Sequence, residues 1–188
     1  MRLAEPRVKL TYDDFLLFPD DGLRHELIDG EHHVTPSPNR RHQQLLVRLL
    51  WALADHLRAY PSHGEVYCAP FDVVFSPWDV VEPDLLFVAG DQLEILTDQN
   101  IVGAPALVVE ILSPGTRKRD QTIKRRLFDA SGVREYWMVA PDHNTVVVHR
   151  RNEGGALSLA GELTAENRAV LTTPLLPDFR LPLDQLFA

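Results

Sequence analysis

The sequence predicts an α/β domain of the α+β kind, a mixed central β-sheet flanked by helices. Three observations carry this. Arg40 to Tyr60 repeats apolar residues at helical spacing. Short apolar runs bounded by turn residues read as strands. A second helical stretch, Arg117 to Ala130, lies between two of the most apolar runs. Helices and strands alternating in this way pack as layers. The 188 residues suffice for one domain with a substantial core. A hydrophobic content of 45% with 24% charge fits an ordinary soluble globular protein.

The elements follow in order. Thr11 caps a short helix, Tyr12 to Phe18, with Asp13 and Asp14 in its first turn. Asp29-Gly30 joins Glu26-Leu27-Ile28 to Glu31-His32-His33-Val34 as a tight hairpin. The helix from Arg40 to Tyr60 carries the stripe His42, Leu46, Leu49, Leu50, Leu53 and Leu57, and stops near Pro61. Strands are expected at Val66 to Ala69, Phe71 to Phe75, Pro83 to Val88 and Ala106 to Leu112. Ser113-Pro114-Gly115 breaks the last of these. The second helix ends at Gly132, a C-cap. Glu135 to Val139 and Thr145 to Arg150 are further strands, and Trp137 reads as core. The whole of 1–188 is expected to form one domain, with its core at about 12–150 and C-terminal strands and a tail at 151–188.

Several classes fall away. No apolar run is long enough to cross a bilayer, and no signal-peptide pattern opens the chain. Cys68 is the only cysteine, which excludes an internal disulfide and a thiolate zinc cluster. A cytoplasmic location without membrane contact is the resulting expectation. His25-Glu26-Leu27-Ile28-Asp29 lacks the second histidine of a zinc-protease helix. There is no glycine-rich phosphate loop and no nucleophile elbow.

A net charge of −8 argues against coating nucleic acid by bulk electrostatics. The charge is uneven, however. Between Ser113 and Arg134 stand Arg117, Lys118, Arg119, Lys124, Arg125, Arg126 and Arg134, against Asp120 and Asp129. That segment carries +5 and the remainder −13. A solvated helix face is the plain explanation of such a run; a groove receiving an anion is the other.

Three residues carry the chemistry. Glu110 stands inside an apolar strand, on the face it shares with Val108 and Leu112. A carboxylate there needs a cation, donors or a proton. Asp84 follows Pro83 at the start of another apolar strand. Two carboxylates converging from neighbouring strand ends suit a hard cation such as magnesium or manganese. Taken singly, each acid is as well explained by a strand-end cap or an arginine partner. At 100° per residue, Lys124 falls on the core-facing side of its helix with Asp120, Ile123, Leu127, Phe128 and Ser131. Lys118, Arg119, Thr122, Arg125 and Arg126 then point away. Lys124 either lays its stem on the core and reaches water, or is aimed at the two acids.

The stretches HELIDGE, EPDLLFV and LVVEILSPGTRKRDQTIKRRLFDASGVREYWMV resemble the PD-(D/E)XK nuclease superfamily. Within it they are similar to a bacterial group of restriction-endonuclease-like proteins. The likeness spans about Tyr12 to Arg150. Two positions after the acid, where the superfamily has lysine, this chain has Leu112, and Lys124 matches a lysine displaced to the following helix. Ala140 stands where many members carry aspartate. The resemblance implies a restriction-endonuclease-like fold and an Mg²⁺- or Mn²⁺-dependent endonuclease that hydrolyses phosphodiester bonds, with DNA as partner. It implies that Asp84, Glu110 and the backbone carbonyl of Ile111 bind metal, and that Lys124 acts on the attacking water or the transition state. Glu26 would complete the metal site or hold Lys124. His42, at the top of its stripe, is a weaker pocket candidate. The competing expectation is a non-catalytic nucleic-acid-binding or regulatory protein that keeps the fold. Pairing into a homodimer through the strands after Thr145 is a further expectation.

Overall fold

A computed structural model of the chain describes residues 8–113, 115 and 117–188. Pro114, in the expected strand break, lies outside the described residues. Two sheets stack face to face. The central one has six strands in the order β11 (Leu157–Thr164), β10 (Thr145–Arg151), β9 (Glu135–Ala140), β8 (Leu107–Ile111), β6 (Leu85–Ala89) and β3 (Gly64–Cys68). It is mixed: β8 and β9 run parallel, and every other neighbouring pair is antiparallel. The second sheet has five strands in the order β2 (Glu31–Thr35), β1 (Arg24–Ile28), β5 (Asp79–Val81), β4 (Asp72–Ser76) and β7 (Asn100–Val102).

The hairpin between β1 and β2 turns at Asp29 and Gly30, both left-handed, at φ 52° and 71°. That is the backbone a two-residue primed turn demands. Gly30 is needed twice over, since a Cβ there would lie 2.6 Å from the Lys9 Cβ.

Each face of the central sheet has its own cover. Leu85, Phe87, Leu107, Val109 and Ile111 face α2 (Arg40–Ala59), where Leu45, Leu49 and Leu53 are fully buried. Burying each such leucine contributes roughly 1.5–3 kcal/mol. The same cluster takes in a hairpin of β12 (Val170–Thr173) and β13 (Leu176–Pro182) and a final helix (Leu183–Phe187), so the expected tail is packed structure. Leu45 belongs to the buried stripe of α2, whereas Leu50 is only partly buried. Asn39 caps α2 by accepting from the His42 amide at 2.9 Å. On the opposite face, Leu86, Val88, Val108, Tyr136 and Met138 meet Ile28, Val73, Val81 and Ile101 of the second sheet. The sheet is therefore covered by a helix on one side and mainly by a sheet on the other.

Two helical expectations change in detail. The first helix covers only Tyr12–Phe15, closed by a capping box between Thr11 and Asp14. The second begins as one turn, Arg117–Arg119, widens into a π turn over Asp120–Lys124, and continues as an α-helix over Arg125–Ser131. Gly132 ends it in the left-handed region at φ 94°, as expected of a C-cap. This segment is the crossover that joins parallel β8 to β9. Among the described residues, no helix is long and apolar enough to cross a membrane.

Candidate active site

The site forms where β6 begins and β8 ends. These strands are antiparallel, with Leu85 opposite Val109 and Leu86 opposite Val108. Carried one step further, that register sets Asp84 opposite Glu110. Residues paired in this way share a sheet face, with Cβ atoms about 5 Å apart. The Ile111 amide donates to Asp84 Oδ2 at 2.8 Å and ties the two strand ends together. Asp84 and Glu110 are 2% and 4% exposed, so both acids are buried.

Asp84 is held from three sides. Besides the Ile111 amide, Arg24 of β1 donates to Oδ1 at 2.7 Å, and Nε2 of His42 lies 3.0 Å from Oδ2. Burial alone would raise the Asp84 carboxyl. The His42 hydrogen bond and charge, Arg24 and the Ile111 amide outweigh it and hold the group below the usual carboxylate range.

Glu110 has a different neighbourhood. Lys124 Nζ lies 2.6 Å from its Oε1, 2.7 Å from Glu26 Oε1 and 3.9 Å from Asp120 Oδ1. Burial would discharge this lysine, but the fields of Glu110, Glu26 and Asp120 keep its amine charged and move its titration upward. Burial, reinforced by Asp120, Asp84 and Glu26, pushes Glu110 well up against the pull of Lys124. Glu26 also accepts from the Glu82 amide at 3.1 Å and meets Arg119 at 3.3 Å. Four carboxylates thus face three permanent cations, Arg24, Arg119 and Lys124.

The π turn explains what helical-face reasoning misplaced. Arg119 was expected to point away, yet its side chain is 14% exposed and donates to Thr35 Oγ1 at 2.6 Å. Ile123, expected on the core side, is 42% exposed. In a regular helix, residues five apart diverge by about 140°; a π turn brings them onto one side. Arg119 and Lys124 are five apart and both reach Glu26. Tyr136 anchors the turn by donating from its hydroxyl to the Asp120 carbonyl at 3.2 Å.

Arg24, His42, Asp84, Glu110, Arg119, Asp120 and Lys124 line a cavity of about 330 Å³ together with the loop from Pro36 to Asn39. All four acids and bases picked from the sequence, Glu26, Asp84, Glu110 and Lys124, come together here, and so does His42. Arg24 and Arg119 were missed as site residues. Of the basic run, Arg117 pairs with Asp142 at 2.8 Å and Arg134 with Asp91 at 3.1 Å, while Lys118 and Arg126 face solvent. Much of that positive charge is therefore engaged within the protein.

A family model described as "Putative restriction endonuclease", the Uma2 family, matches residues 12–184. The chain belongs to the Uma2 family. No curated protein matches the sequence. Among solved structures, the Uma2 chain resembles a protein from Anabaena variabilis ATCC 29413 described as a "putative nuclease belonging to DUF820", with 20% identity and a TM-score of 0.79. The match covers 95% of this chain and 97% of that one, and it bears out the restriction-endonuclease-like fold. In this Uma2 member the two opposed carboxylates are oxygen donors of the kind a hard divalent ion takes. Among the described residues no group of three or more His, Cys, Asp or Glu side chains forms a metal site. A cation here would need its remaining ligands from water and substrate oxygens, as magnesium commonly does.

Proposed function

We propose that this protein is a divalent-metal-dependent endonuclease acting on DNA. One observation carries the reading: Asp84 and Glu110 are buried opposite each other on adjacent strands at the base of an open cavity, with Lys124 on Glu110. An apolar pair would serve the fold better, because buried charge is costly unless it performs a task. Family membership supports the same reaction class.

The roles follow from position. Asp84, Glu110 and the Ile111 carbonyl would hold Mg²⁺ or Mn²⁺. Such an ion supplies an acidified water and neutralises phosphate charge. Lys124 presents a permanently charged amine to the attacked phosphate, where charge builds in the transition state. Glu26 keeps that amine protonated and aimed, through the 2.7 Å contact. His42 and the Ile111 amide fix the Asp84 carboxylate in one orientation. The solvent-facing Lys118 and Arg126 suit contacts to a phosphate backbone that position without reading sequence.

The test is manganese titration by calorimetry into the wild type and into Asp84→Ala/Glu110→Ala, alone and with a DNA duplex, together with a plasmid-cleavage assay. Binding and cleavage in the wild type that are both absent from the folded double variant are expected. A folded wild type that binds no manganese even with DNA present would overturn the reading.

A further inference from the structure

Both oxygens of Asp84 are engaged by the protein. Oδ1 is taken by Arg24 at 2.7 Å, and Oδ2 by His42 and the Ile111 amide. A cation that binds Asp84 competes with these partners for the carboxylate, most directly with the charged Arg24. The Ile111 amide is fixed by the strand, and the His42 side chain is 7% exposed at the start of α2. The Arg24 side chain is 20% exposed, the most open of the three. It also has somewhere to go. Arg24 lines the active cavity and a second one of about 410 Å³, and Asp84 and His42 line both. A guanidinium released from Asp84 would therefore remain at the cavity mouth.

Resting on the metal-nuclease reading, we propose that Arg24 is a latch that becomes a phosphate ligand. Without metal it neutralises Asp84. When a divalent ion takes that carboxylate, Arg24 is released and grips the substrate phosphate, to which its planar fork is matched. The two states share one guanidinium, so metal loading and substrate grip are linked.

This assignment makes two predictions of opposite sign, measured by manganese calorimetry and by binding of a short fluorescein-labelled DNA duplex. Arg24→Ala should bind manganese about tenfold more tightly, because one charge-assisted hydrogen bond no longer competes. With calcium as a non-cleaving hard cation, the same variant should bind the duplex about tenfold more weakly than wild type. In EDTA the two proteins should bind it alike. Arg24→Lys, which keeps the charge but not the fork, should restore wild-type manganese affinity and only part of the calcium-dependent duplex affinity. Should Arg24→Ala melt below the assay temperature, Arg24→Gln serves in its place.

Unchanged or weaker manganese binding in the variant, beside a wild type that binds and an Asp84→Asn control that does not, would overturn the latch and leave the metal site standing. Tighter manganese binding with a duplex affinity that no longer depends on metal would also overturn it, since Arg24 would then only block the site. Absence of manganese binding from both proteins, with and without duplex, would overturn the latch and the nuclease reading together.

Discussion

Lys124 Nζ lies 2.6 Å from Glu110 Oε1, and both side chains are about 95% withdrawn from solvent or more. This ammonium is the cation that makes three buried acids tolerable. Lys124→Ala should therefore cost about 3–5 kcal/mol, the penalty for breaking a buried pair and leaving a charge behind. For a chain of this size that is a melting-temperature drop of roughly 6–20 °C. Cleavage should be lost. Manganese binding should survive, since Asp84 and Glu110 remain, and manganese should recover part of the lost stability in a thermal melt.

Glu26 and Glu110 share this lysine but should respond differently to neutralisation. Burial and the acids around it push the Glu110 carboxyl up against the pull of Lys124, its one cationic partner at 2.6 Å. Glu26 faces Lys124, Arg119 and the Glu82 amide. Glu26→Gln gives up contacts with two cations and should cost about 2–3 kcal/mol in denaturant unfolding, and Glu110→Gln less. Equal costs would mean that Arg119 adds nothing at Glu26.

Metal should stabilise the fold through Asp84. At a free manganese concentration a hundred times the dissociation constant, linkage contributes about 2.7 kcal/mol. A rise of several degrees in melting temperature is expected for wild type, and none for Asp84→Ala. Differential scanning fluorimetry across a manganese series is the check.

Glu82 gives the pH dependence. Burial, then the nearby charge of Asp72, push its carboxyl up to about 7 from 4.5. A raised acid binds its proton more tightly when folded than when unfolded. Its contribution to stability is complete below about pH 4.5 and disappears as pH rises through 7. Glu82→Gln should remove this component, so the variant gains on wild type between pH 5 and pH 8. Melting curves of both proteins across that range test it.

What the sequence made legible was local. Asp29-Gly30 can hardly be anything but a primed turn, and it is one. The alternation that put Glu110 with Val108 and Leu112 is the alternation of β8, and all three face the second sheet or the site beside it. Lys124 was found because it shares a helical face with Asp120 and Phe128, one turn away on either side. Arg24 and Arg119 escaped notice for one reason each. The partner of Arg24 is 60 residues distant, and no periodicity links them. Arg119 is brought inward by a π turn, where the 100° rule fails. The three-residue strands Asp79–Val81 and Asn100–Val102 are too short to show any pattern, so the second sheet was not foreseen. Its presence matters to the site, because β1 supplies Glu26 and Arg24 from it.

The register of β6 on β8 has one more consequence. Peptide hydrogen bonds, not side-chain packing, set how far Asp84 stands from Glu110. Changes of volume at Leu107 or Val109 would erode stability while leaving the two carboxylates in place. A single residue inserted into either strand would turn one acid onto the apolar α2 face, against Leu45, Leu49 and Leu53, and would cost the site as well as stability. The site is tolerant of size and intolerant of length.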